Sequence, residues 1–182
     1  RDVYLDDEEV RSAFRTPPRG ALDGRPDSIY VPSEPSRGAE YNGETRSASN
    51  KRKRDTVIPI DAELKRLLKR WLAIRPDTSG AEPFFVSTDE WGRRVTPSMV
   101  RNAVTKRASE RGWYRTGGDA AENITPHYFR HFFTTHLRDR TGDRGVVKYL
   151  RGDVATDIID TYTHNWGDRV RTVYEENIYR LL

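Results

Sequence analysis

The sequence predicts a mostly α-helical domain with a small antiparallel β-sheet, an α+β fold in one domain: β region and loops over about residues 1–60, helical region over about 61–182. Three observations predict it. Beyond Asp61, apolar residues recur at helical spacing between start and stop signals. Before Asp61, short runs rich in β-branched residues are set off by Pro, Gly and Ser. Four Trp, nine Tyr and six Phe supply large side chains to bury, although mean hydropathy is -0.87.

Residues 8–27 contain Thr16-Pro17-Pro18-Arg19-Gly20 and Asp23-Gly24-Arg25-Pro26, which is turn and loop chemistry. Ser28-Ile29-Tyr30-Val31 reads as a short strand, and Pro32 to Asn50 as a mobile polar loop. Lys51-Arg52-Lys53-Arg54 precedes Val57-Ile58-Pro59-Ile60, an edge strand because proline cannot donate to a ladder. Asp61 is an N-cap, with Leu64, Leu67, Leu68, Trp71 and Leu72 as a buried stripe and Pro76 as the stop. Thr96-Pro97 opens a second helix that Gly112 ends. After a loop from Trp113 to Asn123, Thr125-Pro126 repeats the signature and opens a helix to about Arg138, with Phe129, Phe132, Phe133 and Leu137 as its stripe. Gly142-Asp143 begins a short helix ending at Gly152. Another spans Thr156 to Tyr162, and Asp168 caps the last, with Val170, Val173, Tyr174, Ile178 and Leu181 on one face.

Composition narrows the function. Cysteine is absent, which removes disulfides, thiol nucleophiles and thiolate metal sites. No apolar run approaches the ~20 residues that span a bilayer. No signal peptide pattern is present at Arg1, and a cytoplasmic address is expected. The formal net charge is +4, yet residues 44–75 hold ten Lys/Arg against four Asp/Glu. So local a basicity suits a polyanion-facing surface. Arg outnumbers Lys 26 to 6, but genome base composition drives that ratio too.

The informative stretch is His127 to His164. His127 and Arg130 are three apart and therefore neighbours on a helix surface. Both lie near a helix start, where unpaired backbone N–H groups favour an anion. Alone, this pair reads first as an ordinary capped surface helix with incidental His and Arg. His127 and His131 at i, i+4 also allow a zinc reading, but Tyr128 stands where a metalloprotease motif has Glu and no third ligand is evident. Arg151-Gly152-Asp153 spells an adhesion tripeptide, but it follows a helix with Gly at the stop position. Ile158, Ile159 and Tyr162 could simply be core.

The full spacing decides between these readings. His127-Tyr128-Phe129-Arg130-His131 is followed by Thr134-Thr135-His136-Leu137, Leu150-Arg151-Gly152-Asp153 and Tyr162-Thr163-His164. Asp153 lies 26 residues after His127, and Tyr162 nine after Asp153. This resembles the C-terminal signature of the tyrosine recombinase (phage integrase) family, in wording closest to archaeal integrases. The clear resemblance covers residues 124–182, and a looser one covers Arg1–Asp6 and Lys51–Ile60, where the family has a small sheet.

The resemblance implies site-specific DNA recombination or integration by metal-free strand transfer, as in phages and mobile elements. Tyr162 would attack a phosphodiester to leave a 3′-phosphotyrosyl bond. A free phenol has a pKa near ~10 and must be activated by its surroundings. Arg130 would stabilise charge on the non-bridging oxygens, and His127 would donate a hydrogen bond or move a proton. Lys51 is the first choice to protonate the leaving 5′-oxygen, with Lys53 the second. Lys53, Arg52 and Arg54 would bind DNA. His131, His136 and His164 take supporting roles. The partners implied are double-stranded DNA and further copies of the chain on it, with no membrane, metal or small-molecule cofactor.

Two departures stand out. Asp153 occupies the place of a His or Trp that donates toward the phosphate, and a carboxylate only accepts. The family's first catalytic Arg, in a Gly-x-Arg-x-x-Glu helix, has no counterpart here. The expectation is therefore an N-terminally truncated catalytic domain, inactive or weak in isolation. The alternative is a non-catalytic DNA-binding or regulatory relic of an integrase. A type IB topoisomerase would use the same kind of tyrosine without a partner subunit.

Overall fold

Asp61 marks the passage from strands to helices. Its Oδ1 accepts the N–H groups of Glu63 and Leu64, both at 3.0 Å, which starts the helix Ala62–Ile74 (α2). Arg75 leaves helical geometry directly before Pro76. The computed structural model describes residues 2–13, 17–33, 38, 40–41, 44–45, 52, 54–77, 83–89, 91–119, 122–153 and 166–180. The expected helix over Thr156–Tyr162 lies outside them.

The chain divides into two compact units. One comprises Arg1–Arg75 and Leu137–Leu182, the other Pro76–His136. The first holds a three-stranded antiparallel sheet of Val3–Tyr4 (β1), Ser28–Val31 (β2) and Thr56–Pro59 (β5), in the order β1-β2-β5. Ile29 faces Val3 on one side and Ile58 on the other. Pro59 falls on an outer strand of this sheet, where a missing donor is tolerated. Asp55, one residue before β5, accepts the hydroxyl of Tyr30 and the N–H and hydroxyl of Ser33. These donors, Tyr30 foremost, hold its carboxyl below the usual carboxylate range, and the same bond raises the Tyr30 phenol.

Several short elements appear where the sequence pattern shows only loop. Glu8–Ala13 (α1) lies in the stretch read as turns. It has no buried residue and so lacks the periodicity that would reveal it. It rests on local terms: Asp7 accepts the Val10 N–H at 3.0 Å, and Glu8 and Glu9 occupy the first turn. Glu40–Tyr41 (β3) pairs with Glu44–Thr45 (β4) inside the segment read as a loop.

The α2 stripe is buried only along its centre. Leu68 is enclosed, while Leu67, on the flank of the apolar arc, is 42% exposed. Pro97–Glu110 (α3) in the second unit starts as expected, with Thr96 Oγ1 accepting the Met99 N–H at 3.3 Å and Pro97 in the first turn. Pro126–Thr141 (α4) is three residues longer than expected, and its stripe is also incomplete. Leu137 is buried, but Phe129 and Phe132 are exposed. Leu137 joins the larger core of Leu5, Leu22, Ile60, Val146, Leu150 and Val170. Among the described residues, the unit holding the two phenylalanines buries only Pro76, Val86 and Ala108 of its apolar side chains.

Arg144–Arg151 (α5) runs from Asp143 to Gly152 as the sequence predicts, with Val146, Val147 and Leu150 buried. The last helix, Trp166–Asn177 (α6), begins two residues before Asp168, which occupies the first turn rather than the cap. A carboxylate favours either place because both lie near the unpaired N–H groups. Val170 and Tyr174 bury the inner face of α6. The Tyr174 hydroxyl donates to Asp61 Oδ2 at 3.2 Å, so one carboxylate caps α2 and anchors α6. Burial, reinforced by the Asp61 charge, pushes the Tyr174 phenol well up and keeps it a donor.

Asp143 yields a pH prediction. It accepts the N–H groups of Gly145 and Val146 at 2.9 and 3.0 Å and pairs with Arg169 at 2.8 Å. Partial burial opposes its ionisation, but Arg169 and the cap donors prevail and lower its pKa. A carboxyl lowered on folding contributes fully above its unfolded value near ~4 and loses that contribution as pH falls through the folded value. Asp143→Ala should therefore cost about 1 kcal/mol in denaturant unfolding at neutral pH, with the gap from wild type closing on acidification below about pH 4. A pH-independent gap would contradict this account.

Candidate functional site

The start of α4 is set by the loop before it. Trp113 N–H donates to Ala108 C=O at 2.8 Å, and Ile124 N–H to Trp113 C=O at 2.9 Å. Between them, Asn123 is buried and uses its amide in three directions. Its Oδ1 accepts Arg115 N–H at 2.7 Å, and its Nδ2 donates to the carbonyls of Arg115 and Gly118 at 3.0 Å each. Gly118 fits because a Cβ there would lie 3.0 Å from Asn123 Nδ2 and 3.1 Å from Arg115 O. This closed loop delivers the chain to Pro126 on one path.

One turn of α4 then presents His127 and Arg130, both exposed. His127 Nε2 lies 2.8 Å from His131 Nε2, with ring centroids 4.4 Å apart and the planes near perpendicular. Only one proton fits between those two nitrogens, so each ring fixes the orientation of the other. The i, i+4 spacing was the sequence signal for this contact. Among the described residues no group of three or more metal-ligating side chains occurs.

The Asp153 region belongs to the other unit. Gly152 closes α5 in the left-handed conformation, at φ 72°, and its N–H returns to Lys148 and Tyr149. Asp153 N–H also donates to Lys148 C=O, at 3.0 Å. The Asp153 carboxylate pairs with Arg151 at 2.9 Å across this turn. Arg151 thus brings a positive charge to the position where Asp153 alone would present only a negative one.

The basic segment before β5 meets the same turn. Arg52 donates from Nη1 to Thr56 Oγ1 at 2.6 Å and from Nη2 to Leu150 C=O at 3.0 Å. The Arg54 guanidinium lies 5.4 Å from the Tyr149 ring centroid, and the Tyr149 hydroxyl accepts Val57 N–H at 3.1 Å. Arg52 and Arg54, expected to face DNA, are thus engaged with α5. Lys51, Lys53, Tyr162 and His164 lie outside the described residues. Sequence reasoning missed Asn123, Arg151 and the internal role of Arg52. Nothing in the local pattern announces contacts across 98 positions, such as that from Arg52 to Leu150.

A largely helical chain with a three-stranded antiparallel sheet and an exposed His-x-x-Arg turn defines a class that comparison then names. The model of the phage integrase family matches residues 41–168, a span that includes Lys51, His127, Arg130, Asp153 and Tyr162. The chain belongs to that family. Among curated relatives it is similar to tyrosine recombinase XerC of Alcanivorax borkumensis, 32% identical over 121 residues, which is 65% of this chain and 36% of the relative. It is similar to the XerC proteins of Pseudomonas fluorescens, 31% identical over 120 residues (65% and 37%), and Thermodesulfovibrio yellowstonii, 30% over 134 (70% and 42%). The chain spans about two fifths or less of these relatives' lengths. No solved structure matches it. No helix among the described residues is long and apolar enough to cross a membrane.

Replacing Asn123 with Ala would remove the side-chain partners of the Arg115 N–H and the Gly118 C=O and leave a gap at a buried position. Thermal or denaturant unfolding should show a loss of about 2 to 3 kcal/mol. An unchanged midpoint would mean that the loop before α4 does not need this clamp.

Proposed function

We propose that this chain is the part of a site-specific recombinase that cuts and rejoins DNA strands through Tyr162. The observation that carries the reading is the exposed His127–Arg130 turn opening α4, within a family match that runs on through Tyr162. In the proposed reaction the phenol oxygen of Tyr162 bonds to the scissile phosphorus, and the bond from phosphorus to the 5′-oxygen breaks. The 5′-oxygen takes a proton from Lys51, or from Lys53 in its place, and leaves as a hydroxyl. The phenolic proton passes to a neighbouring acceptor. A 3′-phosphotyrosyl linkage preserves the phosphodiester's energy, and attack by a second strand's 5′-hydroxyl reverses the step.

Arg130 stabilises the charge that gathers on the non-bridging oxygens. His127, held in orientation by His131, donates a hydrogen bond or transfers a proton. Asp153 acts by holding Arg151, so a guanidinium stands in for the family's His or Trp donor. The partners are double-stranded DNA and further copies of the chain assembled on it, in the cytoplasm. A second reading, a DNA-binding relic, draws on Asp153 itself, a carboxylate where the family resemblance implies a His or Trp donor.

The test is covalent trapping on a nicked suicide DNA substrate by the full-length protein. Wild type should form a protein–DNA adduct at Tyr162, and Tyr162→Phe should form none while still shifting DNA in a gel. Arg130→Ala should slow adduct formation about 100- to 1000-fold. No adduct with wild type, despite DNA binding, would favour the relic.

A further inference from the structure

His127 and His131 stand one turn apart on α4, both exposed, and bring their Nε2 atoms to 2.8 Å. Two imidazole nitrogens at that separation can share a proton or share a metal ion, and ring direction shows which the pair is shaped for. Nitrogens aimed straight at each other through a hydrogen bond would hold the ring centroids about 5 Å apart. Nitrogens both aimed at one ion, at an imidazole–metal bond of about 2.0 to 2.1 Å, would hold them about 4.4 Å apart. The centroids are 4.4 Å apart. The same bond length and the 2.8 Å separation set an angle of about 85 to 90° at the ion. A tetrahedral ion such as zinc needs its nitrogens about 3.3 Å apart, whereas neighbouring corners of a square plane meet at right angles.

We propose that His127 and His131 form a two-nitrogen chelate for copper(II), with water in the remaining positions of its square plane. Chelation takes both Nε2 lone pairs, and a neutral pair frees them by carrying each ring proton on Nδ1. Two features of the site oppose any cation. Arg130 stands on the same turn, and His127 lies in the first turn of α4, at the positive end of the helix dipole. The ion with the strongest bonds to imidazole overcomes them best. Among divalent first-row metals that ion is copper, which also prefers the square arrangement. These residues include no cysteine, so no thiolate draws the ion away. His136, five positions beyond His131, falls on another face of α4 and tilts against the Phe132 ring at 5.6 Å. The inference concerns the pair itself and holds whether or not Tyr162 transfers strands.

The test is a titration of copper(II) into the full-length protein, followed by equilibrium dialysis and electron paramagnetic resonance. Wild type should hold an ion whose spectrum shows two imidazole nitrogens in the square plane. His127→Ala and His131→Ala should each bind that ion about 100-fold more weakly, because one ring no longer delivers it to the other. His131→Ala combined with Phe132→His keeps the number of histidines but turns the second ring about 100° round the helix, so it should bind as weakly as the single variants. His136→Ala should bind as wild type does. Zinc should bind the pair more weakly than copper. Circular dichroism checks the helix content of each variant, and His131→Gln replaces His131→Ala if the alanine variant does not fold. A wild-type spectrum with one imidazole or none, wild-type affinity in a single variant or in the shifted pair, or zinc held as tightly as copper would each overturn the proposal.

Discussion

A helix that stops must find donors for its last carbonyls, and the stop of α5 organises much of the unit around it. Gly152 takes the left-handed turn that brings two backbone N–H groups back to Lys148 and Tyr149. Arg52 arrives from the strand region to satisfy Leu150. Tyr149 in turn accepts Val57 N–H, and the Arg54 guanidinium lies over its ring. The short antiparallel sheet and the short helix are thereby joined by polar contacts as well as by Val146, Val147 and Leu150. The space left by the absent Cβ of Gly152 is what lets the arginine lie there.

The same contacts change the meaning of the basic cluster. A run of four cations reads as a polyanion-facing strip, because charge alone is visible in a sequence. Two of those cations are committed to α5 in the folded chain. Positive charge can thus serve a helix terminus and an aromatic face as readily as a phosphate. Asp153 shows the converse: a carboxylate that looks hostile to DNA is joined to Arg151 across a glycine turn. The chemical character of that turn belongs to the pair rather than to either residue.

Much of the fold was legible beforehand because its signals are local. Asp61, Thr96, Asp143 and Gly152 announce helix ends through backbone groups only two to four residues away, and the described chain uses each of them as expected. The strands Ser28–Val31 and Thr56–Pro59 were visible through their apolar, β-branched runs. Helix α1 was not, since it buries nothing and leaves no periodic trace. The α4 stripe was overread, because spacing says which side chains share a face but not whether anything covers that face.

The sequence by itself determined the helices that start at Asp61, Thr96 and Asp143, the strands Ser28–Val31 and Thr56–Pro59, and the family signature from His127 to Tyr162, since each depends on residue identity at short, countable spacing. It also sufficed to place His127, Arg130 and His131 on one face. Only the tertiary structure decided that Asn123 locks the loop before α4, that Asp61 serves two helices, and that Arg52 reaches Leu150 rather than solvent. The physical reason is distance along the chain: a hydrogen bond needs its partners within about 3 Å in space, and no pattern read along a sequence specifies which remote carbonyl a folded backbone will bring there.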